Sequence, residues 1–149
     1  MTGDSGVYLF ALELAQSRVI PIGALGGVRF EKGWYLYVGS ALRGLSARLA
    51  RHERTDAGKV MKWHVDYLRA HAKAVRSFPI PTRRDAECRL ARDVRRLSTG
   101  MVPRFGSSDC SCPSHLFRLA SDPLQDPRFV ALLRRWTGGL TQIGPHGVQ

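Results

Sequence analysis

The stretch WYLYVGS at residues 34–40 decides the fold of this chain. It begins with a run of aromatic and branched residues, a composition typical of β-strands. Because side chains alternate across a strand, Tyr35 and Tyr37 share one face, and the apolar residues between and beside them share the other. We therefore predict a strand over residues 34–38 that presents two tyrosines on one side.

A second apolar segment, Gly6–Leu14, is rich in valine, tyrosine, leucine and phenylalanine and is followed by a turn, which predicts another strand. Residues 19–22 can return beside it, with Pro21 in an edge position. The glycine-rich segment after Pro21 must then loop out before the next strand. An antiparallel meander is the simplest arrangement of these segments.

Residues 42–54 switch to helical spacing. The apolar stripe of this predicted helix consists of Leu42, Leu45 and Leu49. Arg48 and His52 lie one turn apart along the margin of the stripe. Side chains at such a margin can lie over the end of the sheet that the helix covers, where a substrate could meet them.

The rest of the chain alternates between helical and extended patterns. We predict a short helix at residues 63–68, an extended segment at 74–80, a helix at 82–98, a strand at 115–119 and a last helix that begins at Asp126 and Pro127. In the helix at 82–98 the predicted buried face consists of Ala86, Leu90, Val94 and Leu97. Glu87 lies at the edge of that face.

Composition limits the classes of function. The chain has 149 residues, of which 44% are hydrophobic, enough for the core of one domain spanning residues 1–149. The 23 Lys and Arg against 12 Asp and Glu give a net charge of +11, mostly from arginine. The arginine fork matches phosphate, so this excess predicts a nucleic-acid partner, although arginines that merely solvate helix surfaces are an alternative. The apolar run of the first strand is broken by Glu13, so we expect no membrane association and a cytoplasmic protein.

The three cysteines allow two interpretations of their role. Cys88, Cys110 and Cys112 are odd in number and form a poor disulfide framework, so they are either reduced thiols or metal ligands. Cys110, Cys112 and His115 could bind zinc with a fourth ligand such as His64, in a zinc-stabilised adaptor. The Cys-x-Cys-x-x-His spacing is tighter than in common zinc sites, so free thiols are favoured.

The tripeptides Gly6-Val7-Tyr8 and Tyr37-Val38-Gly39, followed by Arg48 and His52, resemble the GIY-YIG nuclease superfamily. The stretches WHVDYL at 63–68 and FGSSDC at 105–110 resemble a small branch of it, some of whose members occur fused to endonuclease III. The resemblance implies an α+β fold, a central antiparallel sheet with a three-stranded core and room for extra strands, flanked by helices. It also implies an endonuclease that hydrolyses phosphodiester bonds in DNA or RNA.

The resemblance further implies roles for individual residues. The catalytic residues are predicted to be Tyr8, Tyr37, Arg48 and His52. Glu87 is predicted to hold one Mg²⁺ or Mn²⁺ ion, and zinc is not expected. The residues predicted to anchor the nucleic-acid backbone are Arg43, Arg51 and Arg54. DNA is expected in preference to RNA, and a DNA-repair protein is a candidate partner.

A further set of polar residues is predicted to assist. His64 and Asp66 are candidates for orienting Glu87 or water, or for simply satisfying each other at a helix surface. The candidates that replace the late asparagine of the family, which this chain lacks, include Ser108, Asp109 and His115. If nothing replaces it, the alternative function is a non-catalytic nucleic-acid-binding module on a degenerate nuclease site.

Overall fold

The computed structural model describes residues 4–82, 86–108 and 110–138. Within these residues the chain is α+β, with a five-stranded antiparallel sheet, a separate two-stranded sheet and four flanking α-helices, as the sequence predicted. None of the helices in this part of the chain has the length and apolar composition that a membrane crossing requires.

The large sheet is built around its two longest strands. The strands, in chain order, are β1 Gly6–Leu14, β2 Arg18–Pro21, β3 Gly27–Phe30, β4 Gly33–Ala41, β5 Ala74–Pro81, β6 Gly100–Met101 and β7 Leu116–Leu119. The order in the large sheet is β5-β1-β4-β7-β6, with every neighbour antiparallel. The register of β1 and β4 places Tyr8 opposite Gly39 and Phe10 opposite Tyr37.

The segment between β1 and β4 corrects one prediction. Residues 19–22 do not return beside β1; β2 pairs with β3 instead, in a hairpin of its own. The two sides of β1 are taken by β4 and β5, which are longer than β2; β4 is almost wholly buried and β5 is buried or partly buried over most of its length, whereas β2 is mostly exposed. The glycine-rich segment after Pro21 forms the 3-10 turn Gly23–Leu25 between β2 and β3, and β1 and β4 pair with this hairpin between them in the chain.

The helices are α1 Leu45–Glu53, α2 His64–Arg69, α3 Glu87–Leu97 and α4 Pro127–Trp136. Helix α1 begins later than predicted, and Leu42 is 87% exposed rather than part of the apolar stripe. The Asp4 backbone and carboxylate accept hydrogen bonds from the N–H groups of Leu45 and Ser46, which fixes the start of the helix there. The predicted start of α3 at Thr82 is followed by residues 83–85, which lie outside the described residues.

Both faces of the large sheet are covered, and the predicted alternation along β4 is confirmed. On one face Trp34, Leu36 and Val38 pack with the buried residues of α3 and α4. On the other face Tyr35 and Tyr37 pack with Tyr8 of β1 and with buried residues of α1 and α2. The tyrosines therefore lie beneath the arginine-bearing helix α1.

Candidate functional site

The paired strands bring the two motif tyrosines together. The ring centroids of Tyr8 and Tyr37 lie 6.2 Å apart. A Cβ atom on Gly39 would overlap the phenol ring of Tyr8, and one on Gly106 would crowd the ring of Tyr37. Because glycine has no side chain, both positions leave room for the phenol rings. The Tyr8 ring therefore requires glycine at position 39, the last residue of the second tripeptide.

His52 in the last turn of α1 completes a buried polar pair. Its Nε2 atom lies 2.7 Å from the Tyr8 hydroxyl, and its side chain is 1% exposed rather than at the helix margin. Burial lowers the pKa of His52 to about 3, although the negative charge of Asp66 opposes the shift. Burial also raises the pKa of Tyr8, against the nearby positive charge of Arg48. Both groups are therefore neutral at physiological pH.

The tautomer of His52 follows from its surroundings. Among the described residues no group hydrogen-bonds Nδ1, and the Oδ1 atom of Asp66 lies 3.9 Å from it. A proton on Nδ1 faces this carboxylate, which leaves Nε2 free to accept a hydrogen bond from the Tyr8 hydroxyl. The Asp66 carboxylate, the His52 imidazole and the Tyr8 phenol therefore lie in a row, and the phenol donates its hydrogen bond to the imidazole.

The neutral, buried His52 predicts a specific pH dependence of stability. Because its folded-state pKa lies below the value of about 6.5 expected in the unfolded chain, the unfolded state binds the proton first as pH falls. The free energy of unfolding should therefore fall by about 3 kcal/mol more between about pH 7 and about pH 4.5 in the wild type than in His52→Gln. Urea unfolding at several pH values measures this, with His71→Gln as the partly exposed control. Parallel pH curves for wild type and His52→Gln would refute the assignment.

Arg48 connects the phenols to the carboxylate of Glu87. Its Nη1 atom donates to the Ser40 carbonyl at 3.0 Å, and its guanidinium carbon lies 4.5 Å above the centre of the Trp63 ring. The Ser40 hydroxyl donates to Oε1 of Glu87 at 2.6 Å. Burial raises the pKa of Glu87, but the interactions with His115 and Ser40 outweigh it, so the net shift is downward and the group is ionised.

The three arginines predicted to anchor nucleic acid have different surroundings. Arg43 is exposed next to the start of α1. Arg51 is bound to the buried Asp66 by two hydrogen bonds of 2.9 and 3.0 Å, and it also covers the Trp63 ring. Arg54 pairs with Asp56 at the surface. Arg51 therefore neutralises the buried negative charge of Asp66 and is not a free surface arginine.

The assisting residues are also dispersed. His64 accepts a hydrogen bond at Nδ1 from the Gly106 N–H group at 2.8 Å, and Asp66 accepts from Arg51 and from the N–H groups at the start of α2. Ser108 is exposed, and Asp109 lies outside the described residues. His115 is buried, and its Nδ1 atom lies 2.5 Å from Oε2 of Glu87. Of the predicted substitutes for the missing asparagine, His115 contacts the candidate site.

The cysteines correct the prediction about cofactors. In the described residues the Cys88, Cys110 and Cys112 sulfurs and one His115 nitrogen form a cluster in which all four atoms lie within 4.8 Å of one another. Such a thiolate and imidazole set is typical of zinc and unsuited to the hard cations Mg²⁺ and Mn²⁺. The expectation of magnesium or manganese without zinc is therefore wrong.

The fourth member of the cluster is not His64, which the zinc alternative had suggested. His64 bonds to Gly106, and Cys88, in the first turn of α3 next to Glu87, stands with the other three residues instead. The sequence spacing could not show this because Cys88 and the other ligands are brought together by the packing of α3 against the sheet. The signal that could have found it was the number of cysteines, since three thiols and one histidine make a complete tetrahedral set.

Comparison with known proteins assigns the chain to a family. A family model described as a domain of unknown function, DUF123, matches residues 7–136. Searches of curated proteins and of solved structures gave no match. The DUF123 match covers most of the chain, so this protein belongs to the DUF123 family.

Proposed function

We propose that this protein is a nuclease that hydrolyses phosphodiester bonds in nucleic acid. The observation that carries the proposal is the convergence of Tyr8, Tyr37 and His52 beneath one partly exposed arginine, Arg48. These groups come from two strands and a helix and lie next to one another. Their order along the chain also resembles the GIY-YIG superfamily, whose nuclease activity supports the proposal.

Arg48 is assigned to the phosphate. One of its N–H groups is used by the Ser40 carbonyl, and the Trp63 ring holds the guanidinium plane in place. The remaining N–H groups can bind the non-bridging oxygens of a phosphodiester and stabilise the negative charge that grows in the transition state. A pre-positioned guanidinium contributes more than a mobile one, because little reorganisation is needed during the reaction.

The Tyr8 and His52 pair is assigned to the proton of the attacking water. The Tyr8 hydroxyl can position this water, and its hydrogen bond to His52 gives the water proton a route to the imidazole while the water oxygen bonds to phosphorus and the ester P–O bond breaks. Solvent water can protonate the leaving oxygen. In the structure the pKa of His52 is too low for an effective base. The negative charge of a bound phosphate shifts the pKa of a nearby imidazole upward, so substrate binding would itself prepare the base.

Basic surfaces beyond the site support a nucleic-acid substrate. A concavity of about 580 Å³ between α3 and α4 is lined by four arginines, Arg89, Arg92, Arg96 and Arg135. This concavity lies on the face of the sheet opposite the tyrosines, and together with the net charge of +11 it supports a polyanionic partner in general. We propose DNA ahead of RNA as the substrate, with a DNA-repair protein as a candidate partner.

One observation favours a second candidate, a non-catalytic nucleic-acid-binding module. Tyr8 and His52 are each 1% exposed and Tyr37 is 6% exposed, so the phenols and the imidazole are almost closed to solvent. A nuclease would need the groups around Arg48 to move aside when substrate binds. A binding module would need only the arginines.

Cleavage by matched tyrosine variants separates the two candidates. Purified protein is incubated with plasmid, branched DNA and structured RNA, with and without added divalent cations. We expect Tyr8→Phe to cut about 100-fold more slowly than wild type, because the proton route through Tyr8 is lost. Tyr67→Phe, a partly buried tyrosine on α2 that lies against Gly23, is the control and should retain the wild-type rate.

Binding of the same substrates is measured in parallel by fluorescence anisotropy. If Tyr8→Phe binds the substrate as tightly as wild type but cuts it about 100-fold more slowly, the result would support the nuclease. Binding without cutting on every substrate would support the module, and equal cutting by wild type and Tyr8→Phe would refute the assigned site.

A further inference from the structure

We propose that Cys88, Cys110, Cys112 and His115 bind one zinc ion, and that Glu87 orients the His115 ring toward it. The four ligands come from two parts of the chain: the first turn of α3, and the loop that leads into β7. The inference does not depend on the nuclease activity proposed above.

The distances within the cluster fit a tetrahedral zinc site. Zinc–sulfur bonds of about 2.3 Å and zinc–nitrogen bonds of about 2.0 Å place a sulfur and a nitrogen ligand about 3.6 Å apart. The Nε2 atom of His115 lies 3.5 Å from the Cys110 sulfur and 3.9 Å from the Cys88 sulfur. All four ligand atoms lie within 4.8 Å of one another, and two sulfurs on one zinc ion would lie about 3.8 Å apart, so an ion would draw the side chains together by up to about 1 Å.

The contact between His115 and Glu87 fixes which nitrogen faces the ion. Oε2 of Glu87 lies 2.5 Å from Nδ1, a close contact whose angle is not that of a hydrogen bond, and Nε2 is directed toward the thiols. A carboxylate that accepts a hydrogen bond from the far nitrogen of a zinc-binding histidine is a recurrent arrangement. The Ser40 hydroxyl holds the other oxygen of Glu87, so the ring orientation is set from the sheet.

Three thiolates and one imidazole make a closed set with no open position for a substrate or water. Such sites stabilise a fold rather than supply a catalytic ion. Here the ion would tie the loop before β7 to α3. This loop carries Phe105, whose ring lies 6.1 Å from that of Tyr37, so the zinc site would also support the surroundings of the phenols.

Metal analysis of the purified protein tests the site. We expect one zinc per chain in the wild type and none in Cys110→Ser, while Ser111→Ala, between two of the ligands, should retain one. Iron in place of zinc in the wild type, no bound metal, or equal zinc in Cys110→Ser and wild type would overturn the proposal.

A cobalt titration of the wild type covers the case in which Cys110→Ser fails to fold. Co²⁺ that replaces zinc in a three-thiolate site should give thiolate charge-transfer absorption and the intense visible bands of a tetrahedral ion. Weak octahedral bands alone would refute the ligand set. Neither readout requires nuclease activity, so the zinc proposal and the nuclease proposal can fail separately.

The role of Glu87 has its own readout. Competition with a chelator should show that Glu87→Gln retains one zinc but binds it about 10- to 100-fold more weakly than wild type. Asp93→Asn on the same helix, whose carboxylate accepts a hydrogen bond from the Trp136 indole, is the control. Equal zinc affinity in wild type and Glu87→Gln would end the positioning role.

Discussion

Arg48→Ala is expected to lower the rate of phosphodiester cleavage by about 100- to 1,000-fold, the cost of removing one pre-positioned donor from a developing oxyanion. The Arg48 guanidinium is held by the Ser40 carbonyl and the Trp63 ring, and it lies close enough to Tyr8 to lower the pKa of the phenol against the effect of burial. Single-turnover kinetics at saturating protein measure the chemical step.

Two further variants make the Arg48 result specific. Arg48→Lys keeps the charge but loses the fork, so its rate should fall between those of wild type and Arg48→Ala. Arg134→Ala, on the exposed side of α4, should leave the rate unchanged. If Arg48→Ala and Arg134→Ala have the same rate, Arg48 does not contact the reacting phosphate.

Asp66→Ala is expected to lower the free energy of unfolding by about 3–5 kcal/mol, because it leaves the partly buried Arg51 without its partner. The Asp66 carboxylate is fully buried and accepts two hydrogen bonds from Arg51. It also accepts from the N–H groups of Lys62 and Trp63, which lead into α2. The variant therefore loses an ion pair and the hydrogen bonds that fix the start of α2. Urea unfolding followed by circular dichroism measures the change.

Asp56→Ala is the matched control for this prediction. Asp56 also accepts two hydrogen bonds from an arginine, Arg54, but both side chains are about half exposed. Surface ion pairs contribute little, so Asp56→Ala should unfold at the same urea concentration as wild type. Similar losses in both variants would show that burial does not determine the contribution of Asp66.

The sequence predicted the features that depend on local periodicity. The two-residue period of β4 predicted that Tyr35 and Tyr37 lie on one face of the sheet and Trp34 on the other. The helical period of α3 predicted that Leu90 and Val94 are buried. Both patterns arise within one element and need no knowledge of its neighbours. The tripeptide motifs similarly indicated the strands that bring the phenols together.

The sequence could not show features that depend on how the elements pack. Residues 19–22 were predicted to return beside β1, but the longer strands β4 and β5 take both sides of β1, and β2 pairs with β3 instead. His52 was predicted at a helix margin, yet the aromatic rings of Phe10 and Trp63 enclose it. Cys88 joins the other thiols only because α3 packs beside the loop before β7. Each of these contacts joins residues that are distant in sequence.

The candidate site and the cysteine cluster share one polar connection. Arg48 donates to Ser40, Ser40 donates to Glu87, and Glu87 contacts His115 of the cluster. The contacts of Glu87 with Ser40 and His115 fit a residue that orients neighbouring side chains, and not one that binds a hard cation.

The proposed nuclease requires the buried phenol–imidazole pair and Arg48 to act together on one phosphodiester. The most direct measurement is single-turnover cleavage by Tyr8→Phe and Arg48→Ala, using preparations that match wild type in folding and in nucleic-acid binding. We expect both variants to bind the substrate and to lose cleavage, while Tyr67→Phe and Arg134→Ala cut at the wild-type rate. Cleavage by either of the first two variants at the wild-type rate, or no cleavage by the wild type on any substrate, would contradict it.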